Sequence, residues 1–194
     1  MGAVLSVVAL SLLILLNLNQ NNELKLISSI IFGCTLLLMY LSSTIYHTLR
    51  DPKLKHLFKI MDHSSIYLLI AGSYTPFMVV TIQGVMGWTL LVIIWSLGIA
   101  GIIFKLFFVH RFGILSTVIY LLMGWLAVVA AKPIYLSLPT GGLFCLIAGG
   151  LCYTVGVIFY AWGRLKFSHM LWHLFVLAGS IFHFITVLFY VVLE

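Results

Sequence analysis

Residues 60–82 read IMDHSSIYLLIAGSYTPFMVVTI. About 20 apolar residues carry an α-helix across the roughly 30 Å hydrocarbon core of a bilayer, and this stretch is long enough. It holds one carboxylate, Asp62, in its first turn. The other three acids, Glu23, Asp51 and Glu194, fall between apolar runs or at the terminus. An acid at the centre of a membrane helix costs roughly 2.5–3.5 kcal/mol on insertion scales, and less towards the interface, so such a residue has a partner.

The rest of the chain has the same character. Hydrophobic residues make up 63% of the 194, and charged residues 7%. The mean hydropathy is +1.23. A water-soluble domain carries about 25% charged residues, so this composition excludes a water-facing surface and points to a polytopic cell-membrane protein. Seven spans can be placed, at about 1–18, 26–49, 60–82, 86–108, 112–131, 140–162 and 168–193. Each gap between them holds charge, Pro, Gly or a polar cluster. The fold expected is an all-α integral membrane protein, one seven-transmembrane helix bundle over 1–194, with Pro76 kinking span three and Gly72 easing the bend.

Basic residues orient it. The loops after spans two, four and six take Arg50, Lys53, Lys55, Lys59, Lys105, Arg111, Arg164 and Lys166, against only Lys25 and Lys132 after spans one, three and five. By the positive-inside rule the N-terminus is cytoplasmic and the C-terminus outside. The net charge of +6 is accounted for by these loops facing anionic headgroups. No nucleic-acid-binding motif accompanies it, so nucleic acid is not expected among the partners; membrane lipids are. Residues 1–18 lack the basic n-region and small-residue cleavage site of a signal peptide. Cys34, Cys145 and Cys152 show no CxxC spacing and read as buried reduced thiols.

The partners of Asp62 emerge from the topology. Ser43 and His47, four apart, share a face at the cytoplasmic end of span two, and His169 and His173, four apart, open span seven at the same end with Ser168 as N-cap. Two histidines at i and i+4 grip one metal from adjacent turns, and a third from another helix completes a His₃ set with one position left for water. Asp62 then reads as an outer-shell partner or water-mediated base, and Ser43 as a hydrogen-bond partner of the water. Imidazole suits zinc, copper, iron or nickel, with zinc the first choice. A single intramembrane histidine is commonly a helix–helix hydrogen-bonding residue, but three at one depth favour one divalent ion. His63 points off the Asp62 face and reads as structural or headgroup-facing. His183 reads as hydrogen-bonded to an interior Tyr or Ser, and His56 and His110 as solvated loop residues.

The ordered motifs are Ser43-x-x-x-His47, then residues 62–76 (DHSSIYLLIAGSYTP), then His169-x-x-x-His173. Together they resemble the hemolysin III family, the bacterial branch of the superfamily of progestin and adiponectin receptors, over essentially the whole chain. The resemblance implies a seven-helix bundle with zinc near its cytoplasmic face, held by His47, His169 and His173, with Asp62 and Ser43 around the water. It also implies two kinds of activity: ceramidase-type hydrolysis of a lipid amide or ester, as in some receptor members, or cytolysis, for which the bacterial branch is named. A receptor or homeostasis protein with structural zinc is the non-enzymatic alternative. A pore is disfavoured, since no span carries a continuous polar stripe. Family members have a short polar segment before span one; this chain enters apolar sequence at Met1, which points to a truncated or misassigned start.

Overall fold

Two side-chain caps set the clearest helix starts. The Asn22 side chain accepts a hydrogen bond from the Lys25 N–H at 3.1 Å, and Asp51 Oδ1 accepts one from the Leu54 N–H at 2.9 Å. Each occupies one of the donors that a first turn leaves unpaired. Helix α2 therefore spans Glu23–Thr48 and α3 spans Pro52–Pro76, with Pro52 at the first position where a missing N–H costs nothing. The third span was expected to begin near residue 60, where hydropathy rises. The Asp-Pro cap starts the helix earlier and puts Lys53, Lys55 and Lys59 on helix rather than loop.

The structure is a computed structural model that describes residues 1–18, 20–162 and 165–194. Arg164, counted above among the basic loop residues, lies outside the described residues. The remaining helices are α1 Gly2–Asn17, α4 Gly84–Phe108, α5 Gly113–Trp125, α6 Ala131–Ser137, α7 Thr140–Ala161 and α8 Ser168–Val187. A 3-10 segment, Leu126–Ala130, joins α5 to α6, and π-helical turns Phe77–Ile82 and Leu188–Val192 extend α3 and α8. No strand occurs among the described residues. Six helical stretches are long and apolar enough to cross a membrane, and α1 is a shorter apolar helix. The molecule is a multi-pass, all-helical membrane bundle.

α3 is its central helix. Residues 71–79 are buried on every side, the polar Ser73, Tyr74 and Thr75 included. Close approach depends on missing side chains: a Cβ on Gly72 would run into the Thr35 side chain on α2, and one on Gly101 into the ring of buried Tyr67. Pro76 keeps helical angles, φ −60° and ψ −42°, and the chain continues beyond it as π-helix. The widened turns follow the rung of the ladder that proline cannot supply.

The break in the fifth span was not expected. Here Tyr74 of α3 acts as a tie: its hydroxyl contacts the Met123 and Gly124 carbonyls at 2.9 and 2.7 Å and accepts the Ala127 N–H at 2.6 Å. A neighbouring helix thus satisfies backbone groups that the 3-10 segment releases, which membrane helices require. Tyr74→Phe leaves those groups unpaired in a dry environment, at a cost of about 1–3 kcal/mol. The expected result is a lower melting temperature of the purified protein, by several degrees, with helix content unchanged. An unaltered melting temperature would show that the break is held by other contacts.

Ser168 is the first residue of α8 rather than a side-chain cap. The preceding Phe167 takes φ 68°, turning the chain into the helix without a cap hydrogen bond. That turn delivers His169 and His173 to the end of the bundle where α2 finishes.

Candidate metal centre and the cavity beside it

His47 occupies the last turn of α2, and His169 and His173 the first two turns of α8. The three rings converge on one another through Nε2. His169 Nε2 lies 3.2 Å from His47 Nε2 and 3.0 Å from His173 Nε2. One ligand atom from each residue falls within 4.8 Å of the other two. The rings meet edge-on, at 62°, 84° and 86° between planes, so their lone pairs point inward instead of the rings stacking.

This donor set fits a tetrahedral ion. Nitrogens about 2.0–2.1 Å from a zinc ion stand about 3.3–3.4 Å apart in tetrahedral geometry. Among the described residues these three are the group of His, Cys, Asp or Glu side chains arranged to hold a metal. No cysteine belongs to it; all three are free, and Cys34 is exposed at the bundle's outer surface rather than buried.

Asp62 comes from the third turn of α3 and is half-buried, beside the Ser43 hydroxyl and His169. Ser43 is 6% exposed. Its neighbour Ser42 fixes the registry of α2 against α3: the Ser42 and Ser65 hydroxyls lie 3.0 Å apart, and Ser65 Oγ donates to the Asp62 carbonyl at 2.7 Å. The backbone carrying Asp62 is thus tied to the helix carrying Ser43 and His47.

All five residues line one cavity of about 680 Å³. Its polar end holds His47, His169, His173, Asp62 and Ser43, and its walls run down α3, α5, α7 and α8 to Ile134 and Leu143 near the opposite end. A largely apolar cavity of this size is a ligand pocket of ordinary dimensions.

The other histidines depart from the sequence reading. His183 lies against the Tyr153 ring, centroids 5.4 Å apart, and among the described residues neither of its nitrogens has a partner, the Tyr153 hydroxyl pairing instead with Ser180 at 3.0 Å. His63 lines the same cavity as Asp62, and its carbonyl accepts the Tyr120 hydroxyl at 2.8 Å. His56 and His110 are not independent loop residues. Their rings stack at 15°, with Nδ1 of the first 2.9 Å from Nε2 of the second, and Lys59 Nζ reaches His110 Nδ1 at 3.0 Å. The Lys59 charge holds the His110 imidazole below its ordinary pKa.

Lys105 is a further correction. Grouped above with loop charges, it sits inside α4, where its side chain is fully buried. Its place within the apolar run 86–108 was visible in the sequence; its enclosure was not.

The family described as Haemolysin-III related matches residues 1–184. The chain belongs to that family. It is 51% identical over 190 residues to Hemolysin-3 of Bacillus cereus, covering 98% of this chain and 87% of that protein. It is 50% identical over 191 residues to the Hemolysin-3 homolog of Bacillus subtilis (strain 168), covering 98% and 90%. A more distant similarity, 29% over 164 residues, joins this haemolysin-III protein to the human monocyte to macrophage differentiation factor, covering 81% of the chain and 68% of that protein.

Proposed function

We propose that this haemolysin-III family protein binds one zinc ion through His47, His169 and His173 and hydrolyses an amide or ester bond of a membrane lipid. The observation that carries the reading is the meeting of three imidazoles, a carboxylate and a hydroxyl at one end of a largely apolar cavity. A bound zinc ion supplies Lewis acidity, polarising a carbonyl and bringing the pKa of water towards about 7.

The chain's own residues then divide the work. The imidazoles hold the ion between two helices. The Asp62 carboxylate accepts the proton of the attacking water and returns it to the nitrogen or oxygen that leaves, so that water is added across the scissile bond. The Ser43 hydroxyl orients that water by a hydrogen bond. The apolar wall seats an acyl chain and keeps bulk water away from the carbonyl. Lipid reaches the chemistry from the bilayer without crossing bulk solvent.

A second reading has a specific observation in its favour. The triad joins α2 to α8, helices that otherwise make few contacts, so zinc would serve as a clamp in a non-enzymatic receptor or homeostasis protein. Reconstituted protein separates the two. The hydrolase is expected to contain one equivalent of zinc and to release fatty acid from a ceramide-type amide or an acyl ester, with chelation stopping release. Stoichiometric zinc without turnover of either class would leave the clamp. Leakage of vesicle contents by the same preparation would favour a cytolytic protein, as the name of the Bacillus cereus relative describes it.

A further inference from the structure

Lys105 has no counter-charge. It is 0% exposed, and among the described residues its Nζ has no hydrogen-bond partner. None of the chain's four acids, Glu23, Asp51, Asp62 and Glu194, is within hydrogen-bonding reach of it. A buried ammonium without a partner is strongly disfavoured and is retained where something else compensates it.

Its surroundings make the deficit larger. Lys59 and His63, one turn apart on α3, line the same cavity as Lys105, and so does His110, which Lys59 contacts at 3.0 Å. His56 stacks on His110. With Lys59 donating to His110 Nδ1, the His110 proton sits on Nε2 and is directed to His56 Nδ1. Among the described residues two buried hydroxyls of the same part of α3, Ser64 Oγ and Tyr67 OH, also lack hydrogen-bond partners. The Tyr67 ring rests against Gly101, one turn before Lys105. Lys59, His63 and Lys105 therefore gather at one end of the cavity, and among the described residues Lys105 Nζ has no acceptor.

We propose that Lys59, Lys105 and His63 form a seat for a phosphate group at the basic end of the cavity, with His110 holding Lys59 in place. A tetrahedral phosphate accepts hydrogen bonds from several directions at once, whereas a single carboxylate would leave part of this set unused. Two sources share that chemistry, the headgroup of an anionic phospholipid and free phosphate. The apolar cavity continues from the seat to Ile134 and Leu143, which offers acyl chains a place that free phosphate does not need. The seat lies at the end the basic loops assign to the cytoplasmic leaflet, where anionic lipid is enriched. It rests on Lys105 and its neighbours and stands whether or not the histidine triad supports hydrolysis.

Purified full-length protein in neutral detergent is titrated with dioctanoyl phosphatidic acid, with dioctanoylglycerol of the same chain length, and with inorganic phosphate. Wild type is expected to bind phosphatidic acid at least 10-fold more tightly than the glycerol. Lys105→Met and Lys59→Gln are each expected to remove most of that difference, while Lys105→Arg keeps it and zinc content stays the same in all. Lysine-dependent binding of inorganic phosphate as tight as that of phosphatidic acid assigns the seat to a soluble anion. Equal affinity for phosphatidic acid and dioctanoylglycerol, or unchanged selectivity in Lys59→Gln, overturns the proposal. Should Lys105→Met fail to fold, Lys59→Gln and Lys105→Arg carry the test, because one keeps the buried lysine and the other keeps its charge.

Discussion

The His169→Ala protein is expected to leave purification without its zinc. His169 is the middle member of the triad, with Nε2 at 3.2 Å from His47 Nε2 and 3.0 Å from His173 Nε2. Removing it leaves one donor on each of two helices and nothing between them. Loss of an outer-shell partner typically costs 10–100-fold in metal affinity, and loss of a direct ligand costs more. The loss is felt by the fold as well. Zinc at 1,000 times its Kd stabilises the state that binds it by about 4.1 kcal/mol, which the variant forgoes. Chelated wild type and His169→Ala should therefore melt at the same reduced temperature, and added zinc should restore only the wild type. Elemental analysis that still finds one equivalent in His169→Ala, or a chelator that leaves wild-type melting unchanged, would remove the triad as a metal site.

Much of this site was legible because helices convert sequence spacing into spatial spacing. Residues four apart share a face, so Ser43 with His47 and His169 with His173 could be paired without coordinates. Charge asymmetry then put both pairs at one end of the bundle. Hydropathy also marked the membrane class, since 7% charge cannot cover a water-exposed surface.

What escaped the sequence depends on partners from other helices. A window that averages apolarity has no means of knowing that Tyr74 ties a broken fifth span, or that Ser180 takes the hydroxyl His183 was expected to use. The start of α3 was misplaced for a different reason. Lys53, Lys55 and Lys59 lower local hydropathy, yet the Asp51-Pro52 cap commits that segment to helix whatever its polarity. Lys105 was obscured by its position three residues from a loop. Long basic side chains near helix ends usually snorkel to water, and the sequence does not show that this one is enclosed. The stacking of His56 on His110 joins residues 54 apart, beyond any local pattern.

Asp62→Asn is the substitution that separates chemistry from binding. Asparagine keeps the shape of the side chain and its ability to meet the Ser43 hydroxyl, but it does not take up the proton of an attacking water. A positioned general base contributes typically 10²–10⁴-fold, so kcat for lipid hydrolysis is expected to fall by that range. Zinc content should remain one equivalent, because Asp62 stands beside His169 and is not one of the three converging donors. Ser43→Ala removes an orienting hydroxyl and leaves the base, so its loss of rate is expected to be the smaller of the two. Parallel measurement of zinc content and turnover in the two variants gives three distinguishable results. Activity lost with zinc retained identifies Asp62 as the base. Activity and zinc lost together make it a ligand. Activity retained in Asp62→Asn means the proton goes elsewhere, and the one carboxylate in the membrane-embedded bundle serves the fold instead.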